Sequence, residues 1–173
     1  MDSIMSHIVN RRSVRAYTAK KVDRNDILTM LTAASWAPSG NNLQPWKFCV
    51  IMEDAELIKN LASLTVYQNW VKDAACLIAV FLDARALDNN IPDIYIKHVQ
   101  AIGAAIQNML LVAHGLGLGT CWIGEILKNA DKVRDLLNIA ADLQLMAVLS
   151  VGYPGKDPKS RRKIVSENIV GWF

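Results

Sequence analysis

The chain has 173 residues, 52% of them apolar and 20% charged, which suits one domain (1–173) with a substantial core. Nineteen Lys and Arg against sixteen Asp and Glu leave a formal charge of +3, too small by itself to imply a nucleic-acid partner. The longest apolar run, AACLIAVFL, is far short of the roughly 20 residues a membrane span needs, and the N-terminus has no signal-peptide core. The expected setting is therefore cytoplasmic, with no membrane partner.

In chain order, Ile4, Ile8 and Val9 suggest a short first helix, and RRSVRAY reads as a turn into an extended piece. Asp23 suits the N-cap of a helix with apolar stripe Ile27, Leu28, Leu31 and Ala34. The loop APSGNNLQP ends it, because Pro38 disfavours helical geometry at Ala37. WKFCVIM follows as a strand, EDAELIKNLASL as a helix and AACLIAVFL as a fully buried strand. The longest helical pattern covers 92–115. GLGLGTCWIG reads as a Gly-rich turn, NADKVRDLLNI as a helix and LQLMAVLSVG as the last strand. Strands separated by helices predict an α+β domain around one sheet.

Cys49, Cys76 and Cys121 are odd in number and far apart, and none belongs to a C-x-x-C pair. They read as thiols of a reducing compartment. His7, His98 and His114 lack metal-ligand spacing, so no metal site is expected. G-L-G-L-G-T follows a helix rather than a strand and fails the context of a dinucleotide fingerprint; it reads better as a helix C-cap and tight turn. The tail from Gly155 carries Ile164, Val165, Ile169, Val170, Trp172 and Phe173 in a polar background. Those side chains can bury on their own domain or on a neighbouring subunit.

Positive charge is concentrated in two places. Arg11, Arg12, Arg15, Lys20, Lys21 and Arg24 crowd one end, and Lys156, Lys159, Arg161, Arg162 and Lys163 the other. Solvated patches, or cations capping a helix C-terminus, are the plain explanation for either. Arginines beside Ser and Gly turns also suit phosphate, which a guanidinium binds with two donors. A nucleic-acid module is disfavoured because no stacking aromatics interleave with these arginines.

RRSVRAY, APSGNNLQPWKF, AIGAAIQNMLLVAHGLGLGTCWIGE, VGYP and KSRRK, in that order and over nearly the whole chain, resemble the nitroreductase family of FMN-dependent oxidoreductases. The resemblance implies a central mixed β-sheet flanked by helices, a long interface helix and a C-terminal arm exchanged in a homodimer, with FMN at the subunit interface. It implies that Arg11, Arg12 and Ser13, with Lys159 and Arg161 of the tail, meet the phosphate. Arg15 would lie at the pyrimidine edge of the ring, and Ile123 and Gly124 would present a backbone N–H near N5 and O4. Pro38, Ser39, Gly40 and Asn42 would come from the partner subunit, with Gly40 allowing close approach to the ring and Gln44, Pro45 and Trp46 anchoring the loop. Gln68 or Asn69 is a further candidate.

NADH or NADPH is the implied donor; the acceptors are nitroaromatics, quinones or flavins, taken in ping-pong fashion with no catalytic side chain. A specialised relative (dehalogenating, dehydrogenating or flavin-destroying) and a non-catalytic FMN-binding protein are the alternatives. No lid with a Glu–Tyr–Lys set is evident in 84–98, where Tyr95 and Lys97 read as helix residues.

Overall fold

The computed structural model describes residues 3–87, 94–160, 162 and 164–172. Its helices are α1 (Ser3–Asn10), α2 (Arg24–Ser35), α3 (Ala55–Ser63), α4 (Gln68–Val71), α5 (Ile94–Gly115) and α6 (Ala130–Leu136). Its strands are β1 (Trp46–Ile51), β2 (Cys76–Asp83), β3 (Gly119–Ile123) and β4 (Leu143–Gly152), in the spatial order β1-β2-β4-β3.

The continuous apolar run of β2 belongs to a strand covered on both faces, and all eight of its residues are buried. Ile78, Val80 and Leu82 face a core built with Ile27, Met30 and Ala34 of α2 and Ile102, Ile106 and Met109 of α5. Leu77, Ala79 and Phe81 face the opposite core, with Ile58 and Leu61 of α3 and Val133 of α6. This alternation is the period of two expected of a strand. The α+β architecture is as expected, with one refinement. The four strands pair antiparallel throughout, and the parallel component is an isolated bridge between Ser13 and Thr120.

Asp23 caps α2 by accepting the Asn25 N–H at 2.7 Å. The stripe of α2 differs from expectation: Met30 is fully buried, whereas Leu28 is 51% exposed. A residue adjacent to Ile27 sits about 100° around the helix, so helical period favours position 30 over 28.

The Gly-rich segment also differs. Its first half is the expected C-cap. Gly117 takes φ +74°, Gly117 N–H donates to His114 O at 3.1 Å, and Leu118 N–H donates to Ala113 O at 2.8 Å. That is a Schellman closure of α5. Its second half is not a turn but the strand β3, paired with β4 from Gly119↔Gly152 to Ile123↔Val148. Glycines at its start mask a strand that tertiary pairing supplies.

β3 has its outer margin covered by the RRSVRAY segment. Val14 N–H donates to Thr120 O at 2.9 Å, and Val14 is buried. Tyr17 then reaches inward. Its hydroxyl meets Ser150 Oγ at 2.7 Å and donates to Val14 O at 3.0 Å, while Thr18 N–H donates to Tyr153 O at 2.9 Å. The N-terminal basic motif is thereby fixed between β3 and the VGYP turn.

Among the described residues, no helix is long and apolar enough to cross a membrane, and no group of three His, Cys, Asp or Glu is placed to hold a metal ion.

Close approach at Gly119 yields a stability prediction. A Cβ there would lie 2.7 Å from Val14 Cγ2, a stiff β-branched neighbour, whereas a Cβ at Gly124 meets nothing within 4 Å. Gly119→Ala is expected to cost about 1–3 kcal/mol by overpacking. Gly124→Ala should stay within about 0.5 kcal/mol. Urea denaturation of both variants checks the contrast.

Candidate functional site

Extended backbone from Arg11 to Arg15 sends alternate side chains to opposite sides. Val14 goes inward, while Ser13 and Arg15 gather at the Cys121 thiol of β3. Burial pushes that thiol's pKa up, and Arg15, the Ser13 hydrogen bond and Arg11 partly offset the rise. Arg12 turns back on α1, donating from Nη1 to Val9 O and, at 2.9 Å, to Arg11 O. One of its nitrogens therefore serves as the helix C-cap that a plain basic turn would provide.

Arg11 is different. Among the described residues its guanidinium has no carboxylate partner. Burial, then the charges of Arg162 and Arg12, lower its pKa from the ordinary value. Arg11 and Arg12 line a cavity of about 420 Å³ with His114, Thr120, Lys156 and Asp157. Arg162 of the tail comes close enough to Arg11 to be felt there. Lys159 is exposed and does not line this cavity, and Arg161 lies outside the described residues.

The APSGNNLQPW loop is held by its own polar groups against a backbone that enters the left-handed region at three positions. Ser39 Oγ accepts the Gln44 N–H at 3.0 Å, and Asn42 Oδ1 accepts from Gln44 Nε2 at 3.2 Å. Asn41, Asn42 and Gln44 adopt φ of 54°, 55° and 49°. Asparagine tolerates that left-handed region better than glutamine does. Pro45 and Trp46 are buried, and Pro45 O accepts the Asp83 N–H at 2.8 Å, so these two residues anchor the loop as expected.

Gly40 does something unexpected. The direction of its missing side chain is filled by the stem of Lys97, whose Nζ would lie 2.8 Å from a Cβ there. Pro38, Ser39 and Gly40 line a second cavity, about 250 Å³, with Lys97 and Gln100 of α5.

The two cavities sit at opposite ends of α5. Lys97 and His114 are 17 residues apart, roughly 25 Å at 1.5 Å per residue. Within one chain, the structure joins Arg11 to Ser13, Arg15 and Arg162, and joins Pro38 to Ser39 and Gly40. It does not join the two groups.

Ile123 ends β3 buried, and exposed Gly124 follows it. Glu125 then ties this exit to the start of α4. Its Oε2 accepts the Thr65 hydroxyl at 2.7 Å and the Val66 N–H at 3.2 Å, and its Oε1 pairs with Lys128. Gln68 and Asn69 are exposed on α4 just beyond that tie.

Comparison with known proteins decides the kinship. The sequence matches the nitroreductase family profile over residues 8–66 and 62–153. The chain belongs to the nitroreductase family. A protein of Archaeoglobus fulgidus, named as a presumed NADH dehydrogenase/NAD(P)H nitroreductase, is 34% identical over 161 residues, covering 92% of this chain and 89% of the relative. The NADPH-flavin oxidoreductase of Vibrio harveyi is 26% identical over 177 residues, 98% of this chain and 73% of that one. Among solved structures, a presumed nitroreductase of Desulfovibrio desulfuricans in complex with FMN superposes with a TM-score of 0.92. It is 38% identical, with 99% of this chain and 98% of that chain covered.

Three residues of these candidate sites were given no site role in the sequence reading. Lys97 looks like an ordinary helix residue until its stem is seen on Gly40. Arg162 is one position beyond the expected Arg161. Glu125, the last residue of the GLGLGTCWIGE segment, had no role attached to it; its placement beside Thr65 reveals one.

Glu125 gives a pH prediction. Lys128, then Thr65 and the Val66 N–H, lower its pKa against an opposing effect of burial. A carboxylate with a depressed folded pKa stabilises fully above its unfolded pKa of about 4.3 and loses that contribution as pH falls through the folded value. The melting-temperature gap between wild type and Glu125→Gln should be widest at pH 5–7 and close progressively below about pH 4. Differential scanning calorimetry across that range tests the sign.

Proposed function

We propose that this chain is an FMN-dependent NAD(P)H oxidoreductase whose flavin site is completed by a second copy of the chain. The observation carrying this reading is the half-buried Arg11, which makes no ion pair among the described residues, beside Arg12 and Lys156 in one cavity, with the charge of Arg162 felt from the tail. Partly desolvated, mutually repelling cations are costly unless a multivalent anion joins them, and a phosphate monoester meets that need. The donor set therefore fits FMN, the cofactor in the complex of the Desulfovibrio relative.

The chain's own residues divide the work. Arg11 and Arg162 hold the phosphate, with Arg12 contributing the donors its helix-capping bond leaves over. Ser13 and Arg15 share the Cys121 side of β3, where Arg15 supplies positive charge at the ring's pyrimidine edge. Ile123 and Gly124 present backbone at the end of a strand held by Glu125. Ser39 and Asn42 offer polar groups from a loop whose anchors keep it in place. Because the Pro38–Asn42 loop and the Arg11 cluster lie at opposite ends of α5, a homodimer supplies one from each subunit. The tail arm, with Ile164, Val165, Val170 and Trp172 exposed in the single chain, has apolar surface for the partner to cover.

When bound, FMN supplies the two-electron chemistry between nicotinamide donor and acceptor. The protein offers a single open face to both in turn, which gives a ping-pong pattern. Its acceptors are flat, electron-poor molecules such as nitroaromatics, quinones or flavins, and its setting is cytoplasmic.

The deciding experiment is anaerobic titration of the FMN-loaded protein with NADH or NADPH. Loss of flavin absorbance supports the oxidoreductase; a protein that binds FMN but stays coloured is a binding protein only. Arg11→Ala should weaken FMN by about 2 kcal/mol while leaving riboflavin nearly unaffected, since only the charge-assisted phosphate bond is lost. Equal losses for both flavins, measured by fluorescence titration, would assign the arginine a structural role. Sedimentation of apo and loaded protein checks the shared site, because a ligand bridging two chains stabilises the dimer. A saturably loaded monomer would overturn it.

A further inference from the structure

The 420 Å³ cavity contains a titratable side chain with no role so far. His114 stands in the last turn of α5 and shares the cavity wall with Arg11, Arg12, Lys156 and Asp157. Its ring lies edge-on to the His7 ring, with centroids 5.8 Å apart. Neither ring nitrogen of His114 makes a hydrogen bond among the described residues.

Resting on the FMN reading above, we propose that His114 is a further phosphate-binding residue, one that becomes protonated as the phosphate enters. The groups facing it set the sign. From α1 and the turn after it come His7, Arg11 and Arg12; from the loop after β4 come Lys156 and Asp157; Arg162 acts on the same Arg11. Without an anion, one acidic group stands among several cations. Burial first, then His7, Arg11 and Arg12, hold the His114 pKa below the ordinary imidazole value of about 6.5, so the ring stays neutral at pH 7.

A dianion placed among Arg11, Arg12 and Lys156 cancels the field that opposes protonation and adds a direct attraction. The C-terminal carbonyls of α5 favour the same charged form. A lysine at this position would add fixed positive charge to the empty site. A histidine adds it only when the ligand is there to receive it.

The test compares FMN with riboflavin, which lacks the phosphate, for wild type and His114→Gln at pH 6.0 and pH 8.5. Affinities come from flavin fluorescence quenching. Comparing the two proteins at one pH cancels the phosphate's own ionisation near pH 6. At pH 6.0 the substitution should weaken FMN roughly tenfold, the loss of a charge-assisted bond. At pH 8.5 it should change FMN by no more than about twofold, the imidazole being neutral there. Riboflavin should be unaffected at both pH values, which also shows that the variant is folded.

An equal loss for both flavins would make His114 a packing residue and overturn the proposal. So would an FMN loss of the same size at both pH values, or none at pH 6.0. If wild type binds neither flavin, the FMN reading itself fails and this inference falls with it.

Discussion

The pairing of β2 with β4 is the constraint on which the rest depends. Eight register pairs, from Cys76↔Val151 to Asp83↔Leu143, join two strands lying between separate apolar cores. With both faces of β2 sealed, its backbone groups have no water to turn to, and the ladder satisfies them. β4 in turn gives β3 its partner, and β3 gives the arginine motif its rail. A substitution that loosened the central pair would therefore disturb the polar site several elements away, with no contact to it.

The site is rigid for reasons that are local and inexpensive. RRSVRAY contains no regular element of its own, yet Thr120, Ser150 and Tyr153 fix it through Val14, Tyr17 and Thr18. The asparagine loop closes on itself through Ser39, Asn42 and Gln44, and buried Pro45 and Trp46 hold its end. Both are ordered irregular segments mounted on strands. Such segments carry polar groups that a helix or strand would spend on its own hydrogen bonds.

Much of the fold was legible where one physical signal dominated. The unbroken apolar run of β2, the Asp23 cap and the long pattern of α5 each admit a single reading. β3 was not legible, because Gly115, Gly117 and Gly119 read as a turn and hid the short strand-forming run from Thr120 to Ile123, which the neighbouring strand makes regular. Leu28 against Met30 shows the same limit: both are apolar, and helix rotation decides which is buried. For the site, family resemblance selected Arg11, Ser13, Arg15 and the Pro38–Asn42 loop. The seat of Lys97 on Gly40 and the Glu125 tie arise from contacts between distant segments, which no spacing rule encodes.

β1 stands at one margin of the sheet, and among the described residues no strand pairs with its outer side. An unpaired margin is a template for any extended segment that drifts past, which makes it a colloidal liability as much as a docking edge. The six residues WKFCVI carry one charge, at Lys47, whose ammonium leans to within 4.0 Å of Asp83 while staying half exposed. That lysine acts as a gatekeeper. A chain prepared at high concentration without its margin covered has little besides Lys47 to discourage strand-by-strand growth into aggregates.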